Sequence, residues 1–221
     1  MSLIEWKSNP PSNIFAPNWN IKFWNEIILS EEVISEIKFT ILEKEKDIIY
    51  KYRDTSNDGG TGLGPNSLTS KFSKFNILNW EYNWVDTIKE STLSAIKNLC
   101  GNDMPDKIYS QCWANVMRFG DQIKPHWHSS YEHSFLGCHI TISSENTKTH
   151  YENPYNKNNI YSIENTVGSM SIFPSYLVHW TDIHLGEKER ITLAMDFLTE
   201  EAINYSSNNE LRNFICIRNK Y

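Results

Sequence analysis

Two textures divide the chain. In two stretches between residues 30 and 100 apolar positions recur at helical spacing, and beyond residue 106 they alternate. The spacing of Ile34, Ile37, Ile41 and Ile48 predicts a helix over 30–51. Ser30 is its N-cap, and Glu31 and Glu32 suit the positive end of the helix dipole. The cluster Glu43-Lys44-Glu45-Lys46-Asp47 reads as a solvated face of that helix. A second stripe, Ile88, Ala95, Ile96 and Leu99, predicts a helix over 84–100 that stops at Gly101. Residues 1–29, with Pro10, Pro11 and Pro17, read as an irregular arm. Residues 54–70 form a Gly/Ser/Asn-rich surface loop, of a length often given to lids. Its GGTGLG run is no nucleotide loop, since neither a preceding strand nor a GK[ST] ending accompanies it.

From 107 to 119 the residues alternate, with Cys112, Ala114 and Val116 on one face and Trp113, Asn115 and Met117 on the other. Short strands are predicted at 135–143, 159–163, 169–173, 177–181, 190–198 and 212–218, separated by turns. Many short strands after two helices predict a mainly β protein with flanking α, a barrel or double sheet buttressed by the helices. No repeat or boundary divides the chain, so 1–221 is expected to be one domain, with 1–105 as a helical and irregular support region and 106–221 as the β core.

Composition narrows the classes. Aromatic residues make up 13% of the chain, which fits β structure and a lined pocket. The net charge of -6 lacks the footprint of a general nucleic-acid binder. Cys100, Cys112, Cys138 and Cys216 are scattered without a CxxC pair and read as reduced thiols. No secretory leader and no membrane-spanning run is visible, so a cytoplasmic location is expected.

The chemistry concentrates in histidines. His126 and His128 are two residues apart, so on an extended strand both face one side. A turn glycine, Gly168, opens a short apolar run that ends in Phe173-Pro174-Ser175-Tyr176-Leu177-Val178-His179. Three histidines on neighbouring strands give an open facial set, which suits non-haem iron(II). Eleven residues after His179, Arg190 and Thr192 share one strand face with Ala194 and Asp196. An arginine and a threonine on the inner side of a strand call for an anion, because a guanidinium grips a carboxylate in bidentate fashion.

Over residues 109–198 the sequence resembles the iron(II)/2-oxoglutarate oxygenases, close to their prolyl-4-hydroxylase-like branch and its small bacterial and phage members. The resemblance implies a double-stranded β-helix, or jelly roll. It implies Fe(II) on His126 and His179, and 2-oxoglutarate held by Arg190 and Thr192, with Asn115 contacting cosubstrate or substrate. It further implies O2 as co-reactant, ascorbate as an accessory reductant, and hydroxylation of a prolyl or other peptidyl side chain or of a small molecule.

One position departs from the pattern. Where the family carries an acid, this chain carries His128. Either His128 completes a three-histidine set, or Glu132, four residues on, supplies the carboxylate. A cupin-type dioxygenase or isomerase remains an alternative, since Gly120-x5-His126-x-His128-x3-Glu132 fits its first motif, although that reading leaves Arg190 and Thr192 unexplained. A non-enzymatic jelly-roll binding module is a second alternative, and it has no need for these residues to meet. His139 reads as a neighbour of the site or a core residue, His133 and His184 as loop residues, and His150 as surface. Trp127 and Trp180, flanking the histidines, are expected to point away into packing.

Overall fold

The structure is a computed structural model that describes residues 3–128, 133–205 and 213–220. The two predicted helices are present. Helix α1 spans Glu31–Lys51, and the Ser30 side chain accepts from the Val33 amide at its start. Helix α2 spans Asn83–Cys100 and ends where Gly101 takes φ 61°. Their apolar stripes, including Ile37, Ile41, Ile88 and Ile96, are buried. Each such side chain contributes about 1.5–3 kcal/mol of transfer free energy. The charged cluster of α1 is not wholly solvated. Glu45 is buried, and both of its oxygens accept from Arg118, at 3.0 and 2.7 Å.

The described residues form ten strands along the chain: β1 Leu3–Lys7, β2 Asn20–Ile27, β3 Lys107–Met117, β4 Leu136–Ser143, β5 Lys148–Asn153, β6 Asn156–Glu164, β7 Ser169–Pro174, β8 His179–Thr181, β9 Arg190–Thr199 and β10 Ile215–Asn219. A short helix α3, Glu200–Tyr205, follows β9. The strands form a seven-stranded sheet in the order β1-β2-β7-β4-β9-β3-β10 and a three-stranded sheet in the order β6-β5-β8. All pairings are antiparallel. The fold is a jelly roll of two sheets with α1 and α2 on the outer face of the larger one.

Two apolar cores result. One lies between the helices and the large sheet and includes Ile37, Trp84, Ile88, Cys138, Ile140, Leu193 and Met195. The other joins the sheets to each other through Ile21, Phe23, Tyr151, Ile163, Phe173 and Leu177.

The amino-terminal arm is not irregular. Strands β1 and β2 pair along Leu3↔Trp24 to Lys7↔Asn20, and β2 then joins β7. Ile21 and Phe23 alternate into the inter-sheet core. The prolines that suggested an irregular arm lie in the connection between the two strands. Strand β5 was also unanticipated. Its inward residues Thr149, Tyr151 and Asn153 are largely polar, and the Thr149 hydroxyl is satisfied by Asn165 at 2.8 Å.

Candidate active site

The segment 120–128 runs as irregular extended chain rather than as a full strand. Gly120, at φ 88°, turns the chain out of β3, and its amide bonds the His184 carbonyl at 2.8 Å. His126 then pairs with His179 through two backbone bonds, N–H to O at 3.1 and 2.9 Å. The His128 amide bonds Ser175 O at 3.1 Å. The two motif segments are thus tied to each other, and β8 gains an extra partner at its edge. Gly168, at φ 82°, begins β7, where an added Cβ would approach Leu29 O at 3.1 Å.

This pairing brings three imidazoles together. The ligating nitrogens of His126, His128 and His179 lie within 4.8 Å of one another. Each ring's Nδ1 has its own partner. His126 Nδ1 donates to Lys124 O and His179 Nδ1 donates to Leu177 O, both at 2.9 Å. His128 Nδ1 meets the carboxylate of Asp196. With Nδ1 engaged, Nε2 is the free nitrogen of each ring, which is the arrangement that orients imidazoles toward a metal ion. Glu132 lies outside the described residues.

Electrostatics favour the neutral, ligating form at two of the three. Burial, and then the neighbouring His128, pulls His126 down to about 4. Burial pulls His179 well below its ordinary value, with His126 and His128 adding to the effect. Burial acts in the same direction on His128, yet the charge and hydrogen bond of Asp196 outweigh it and raise the value.

Beside the histidines lies a small inner pocket whose lining includes Asn115, His139, Phe173, Arg190 and Thr192. Asn115 donates to the Thr192 hydroxyl at 3.3 Å and accepts from Thr69 at 2.6 Å, so it ties β3 to β9 and to the short 3-10 helix 69–74. Arg190 is 1% exposed. Its Nη1 reaches only the Met117 sulfur at 3.5 Å, and its Nε has no hydrogen-bond partner among the described residues. Burial lowers its value to about 10. The charge of Asp182 opposes this only in part; a buried cation with no carboxylate bonded to it among the described residues is costly, and an anion in the pocket would remove that cost. The pocket therefore fits a carboxylate ligand, and the three rings with free Nε2 atoms fit a divalent metal.

All six residues singled out from the sequence, His126, His128, His179, Asn115, Arg190 and Thr192, line this one pocket. Sequence reasoning missed the part played by Asp196 and anticipated His139 only as a neighbour of the site or a core residue. Asp196 had been placed on the face of Arg190 without a role, although an even spacing along β9 was the signal. His139 lines the pocket too, and burial followed by the charge of Arg190 lowers it to about 3. The expectation for the flanking tryptophans was wrong at Trp127, which is 55% exposed and lines an adjoining cleft instead of packing inside. Trp180 is half-buried and stacks on His150, which itself bonds Ser162 and Asp182. His184 is in a loop as expected, but fully buried, with Nε2 bonding Lys188 O at 2.6 Å.

The 54–70 loop forms a braced wall of the site. Asp58 accepts from the Gly60 and Gly64 amides, both at 3.0 Å. The buried Lys71 ammonium binds the carbonyls of Thr55 and Pro65. Thr61, whose carbonyl accepts from the Lys124 amide at 2.8 Å, lines the inner pocket.

The fold is that of the iron(II)/2-oxoglutarate oxygenases, in their prolyl-4-hydroxylase-like form. A Pseudomonas putida prolyl-4-hydroxylase aligns with a TM-score of 0.54 at 10% identity, over 80% of this chain and 92% of that one. The viral collagen prolyl hydroxylase of Paramecium Bursaria Chlorella virus-1, solved as a 2-oxoglutarate complex, aligns with a TM-score of 0.54 at 13% identity, over 80% of this chain and 96% of that one. The non-heme monooxygenase ThoJ, as a nickel complex, aligns with a TM-score of 0.58 at 12% identity, over 90% and 80%. No family model and no curated protein sequence matches the chain. No helix among the described residues is long and apolar enough to cross a membrane.

Proposed function

We propose that this chain is an iron(II)- and 2-oxoglutarate-dependent oxygenase that hydroxylates a C–H bond of an organic substrate. The observation that carries the reading is Arg190, a buried cation with no carboxylate bonded to it among the described residues, in the same pocket as the three histidines. A non-enzymatic jelly roll has no use for that convergence.

His126, His128 and His179 would hold iron(II) through Nε2. Arg190 and the Thr192 hydroxyl would grip the distal carboxylate of 2-oxoglutarate, while Asn115 fixes the Thr192 rotamer. When bound, iron(II) with O2 and 2-oxoglutarate would supply the oxidising chemistry, with succinate and carbon dioxide as coproducts and one oxygen atom each to succinate and substrate. This chain's residues bind, orient and exclude water. Lys124 O and Leu177 O fix the ring planes of His126 and His179. Asp196 places a negative charge one imidazole away from the metal position, where other members of the family carry an acid ligand. Phe173 and Ile123 give the pocket dry walls.

A cupin-type dioxygenase is the second reading, and what favours it is the third histidine where the oxygenases carry an acid. Anaerobic titration with Fe(II), with and without 2-oxoglutarate, separates the two. The oxygenase reading expects a visible charge-transfer band from the metal-bound cosubstrate and its loss in Arg190→Ala. Bound metal without that band would establish the cupin reading instead.

A further inference from the structure

A second cavity, of ≈ 130 Å3, opens against His126 and His128. Its walls are aromatic. Phe72 and Trp113 stand with ring centroids 5.4 Å apart, and Trp127 borders the cavity from an exposed position. Its polar lining includes two carboxylates, Asp58 and Asp196, and no lysine or arginine among the described residues. The contrast with the inner pocket is one of charge sign: Arg190 on one side of the histidines, two acids on the other.

That lining discriminates among occupants. An anion would meet two carboxylates against rings whose faces are also negative. A purely apolar group would strip water from Asp58 and Asp196 without replacing its hydrogen bonds. A cation on an aliphatic stem satisfies every wall. Its stem covers the rings, its charge lies over an aromatic face, and its N–H groups reach carboxylate oxygens. Both carboxylates retain capacity for this. Asp58 accepts one backbone N–H on each oxygen, and Asp196 gives Oδ1 to His128, whereas a carboxylate offers about four acceptor sites.

We propose that this cleft binds an alkylammonium or guanidinium group on an aliphatic stem, and that the substrate is such an amine, with a stem carbon presented to the histidine side. The proposal rests on the oxygenase reading for its chemistry but not for its binding.

The test uses the full chain and five probes: Nα-acetyl-lysine N-methylamide, its arginine, norleucine and glutamate counterparts, and n-butylamine. Binding is read by tryptophan fluorescence on the metal-free protein and by perturbation of the charge-transfer band on protein loaded anaerobically with Fe(II) and 2-oxoglutarate. The lysine and arginine compounds should bind about tenfold tighter than the norleucine compound, and the glutamate compound weakest. Parity of n-butylamine with the lysine compound would identify a free amine as the substrate, and weaker binding an amino-acid-borne one. Asp58→Asn and Trp127→Leu should each weaken the lysine compound about fivefold while leaving the band intact. Because Asp58 also braces its loop, Trp127→Leu, at an exposed residue, guards against a folding artefact. Equal or tighter binding of the norleucine or glutamate compound, or unchanged lysine affinity in both variants, would overturn the proposal. A missing band with cation-selective fluorescence would sink the oxygenase reading alone.

Discussion

His128 and Asp196 are joined ring nitrogen to carboxylate, between an extended segment and strand β9 that no local sequence relation connects. The bond holds the third imidazole with Nε2 toward His126 and His179, and it sets a carboxylate beside a site built of imidazoles. Carboxylate–histidine pairs of this kind fix ring orientation and raise ligand basicity.

Asp196→Asn should therefore lower metal affinity about 10- to 100-fold with little change in melting temperature of the metal-free protein. Calorimetric titration with Co(II), together with its visible spectrum, checks both affinity and ligand geometry. An unchanged affinity and spectrum would mean that Asp196 does not position His128.

Arg190 has the opposite problem, a charge in want of a partner. Replacing it with Met should stabilise the ligand-free protein by roughly 1–2 kcal/mol, because an uncompensated buried cation is removed. The oxygenase reading expects added 2-oxoglutarate to raise the melting temperature of the metal-loaded parent, and the same change should abolish that rise. Thermal melts with and without cosubstrate give both numbers, and a retained cosubstrate shift would contradict the assigned role.

Thiol chemistry should report the burial pattern. Cys112 and Cys138 are fully buried, and burial pushes both thiols well up, so the reactive thiolate is scarce. Cys216 is exposed. A coloured disulfide reagent should modify Cys216 rapidly in the folded protein and spare Cys112 and Cys138 until denaturant is added. Fast modification of either buried thiol would show that the β3–β4 region opens.

The smaller sheet should carry a pH signature. Burial works to raise Asp182, but hydrogen bonds from His150 at 2.9 Å and from the Lys148 amide at 2.7 Å prevail and hold its carboxyl below the usual range. A depressed folded value contributes stability above the unfolded value, near ~3.9, and loses it as pH falls through the folded one. Asp182→Asn should be less stable than the parent by about 0.5 kcal/mol at neutral pH, a modest figure because the pair is partly exposed. Melts across pH 2–7 should show that gap closing at the acid end, and a gap independent of pH would refute the linkage.

How far the molecule could be read from its sequence depended on where chemistry and periodicity coincided. Helix α1 was legible because Ser30, the first-turn acids and the isoleucine stripe all agree. Strand β9 was legible because Arg190 and Thr192 alternate with Ile191 and Leu193. Strand β5 was not, because Thr149 and Asn153 put polar side chains at inward positions, Thr149 bonding Asn165 and Asn153 accepting from the Tyr155 amide. Strand β2 was masked by nearby prolines that belong to a connection. At the site, residue types and spacings singled out the histidines and Arg190, which the structure brings into one pocket. The partnership of His128 with Asp196 required register across 68 residues of chain, which no local pattern encodes.

Strand β9 is inserted between β4 and β3 in the large sheet, although it is nearly the last strand in chain order. A nascent chain that has emerged only through His179 owns all three imidazoles but neither the arginine nor the aspartate. Such a chain also lacks a central strand of its main sheet, so β3 and β4 have nothing to bridge them. Under the proposed function, all the residues that would hold metal and cosubstrate come together only with the final closure of the sheet.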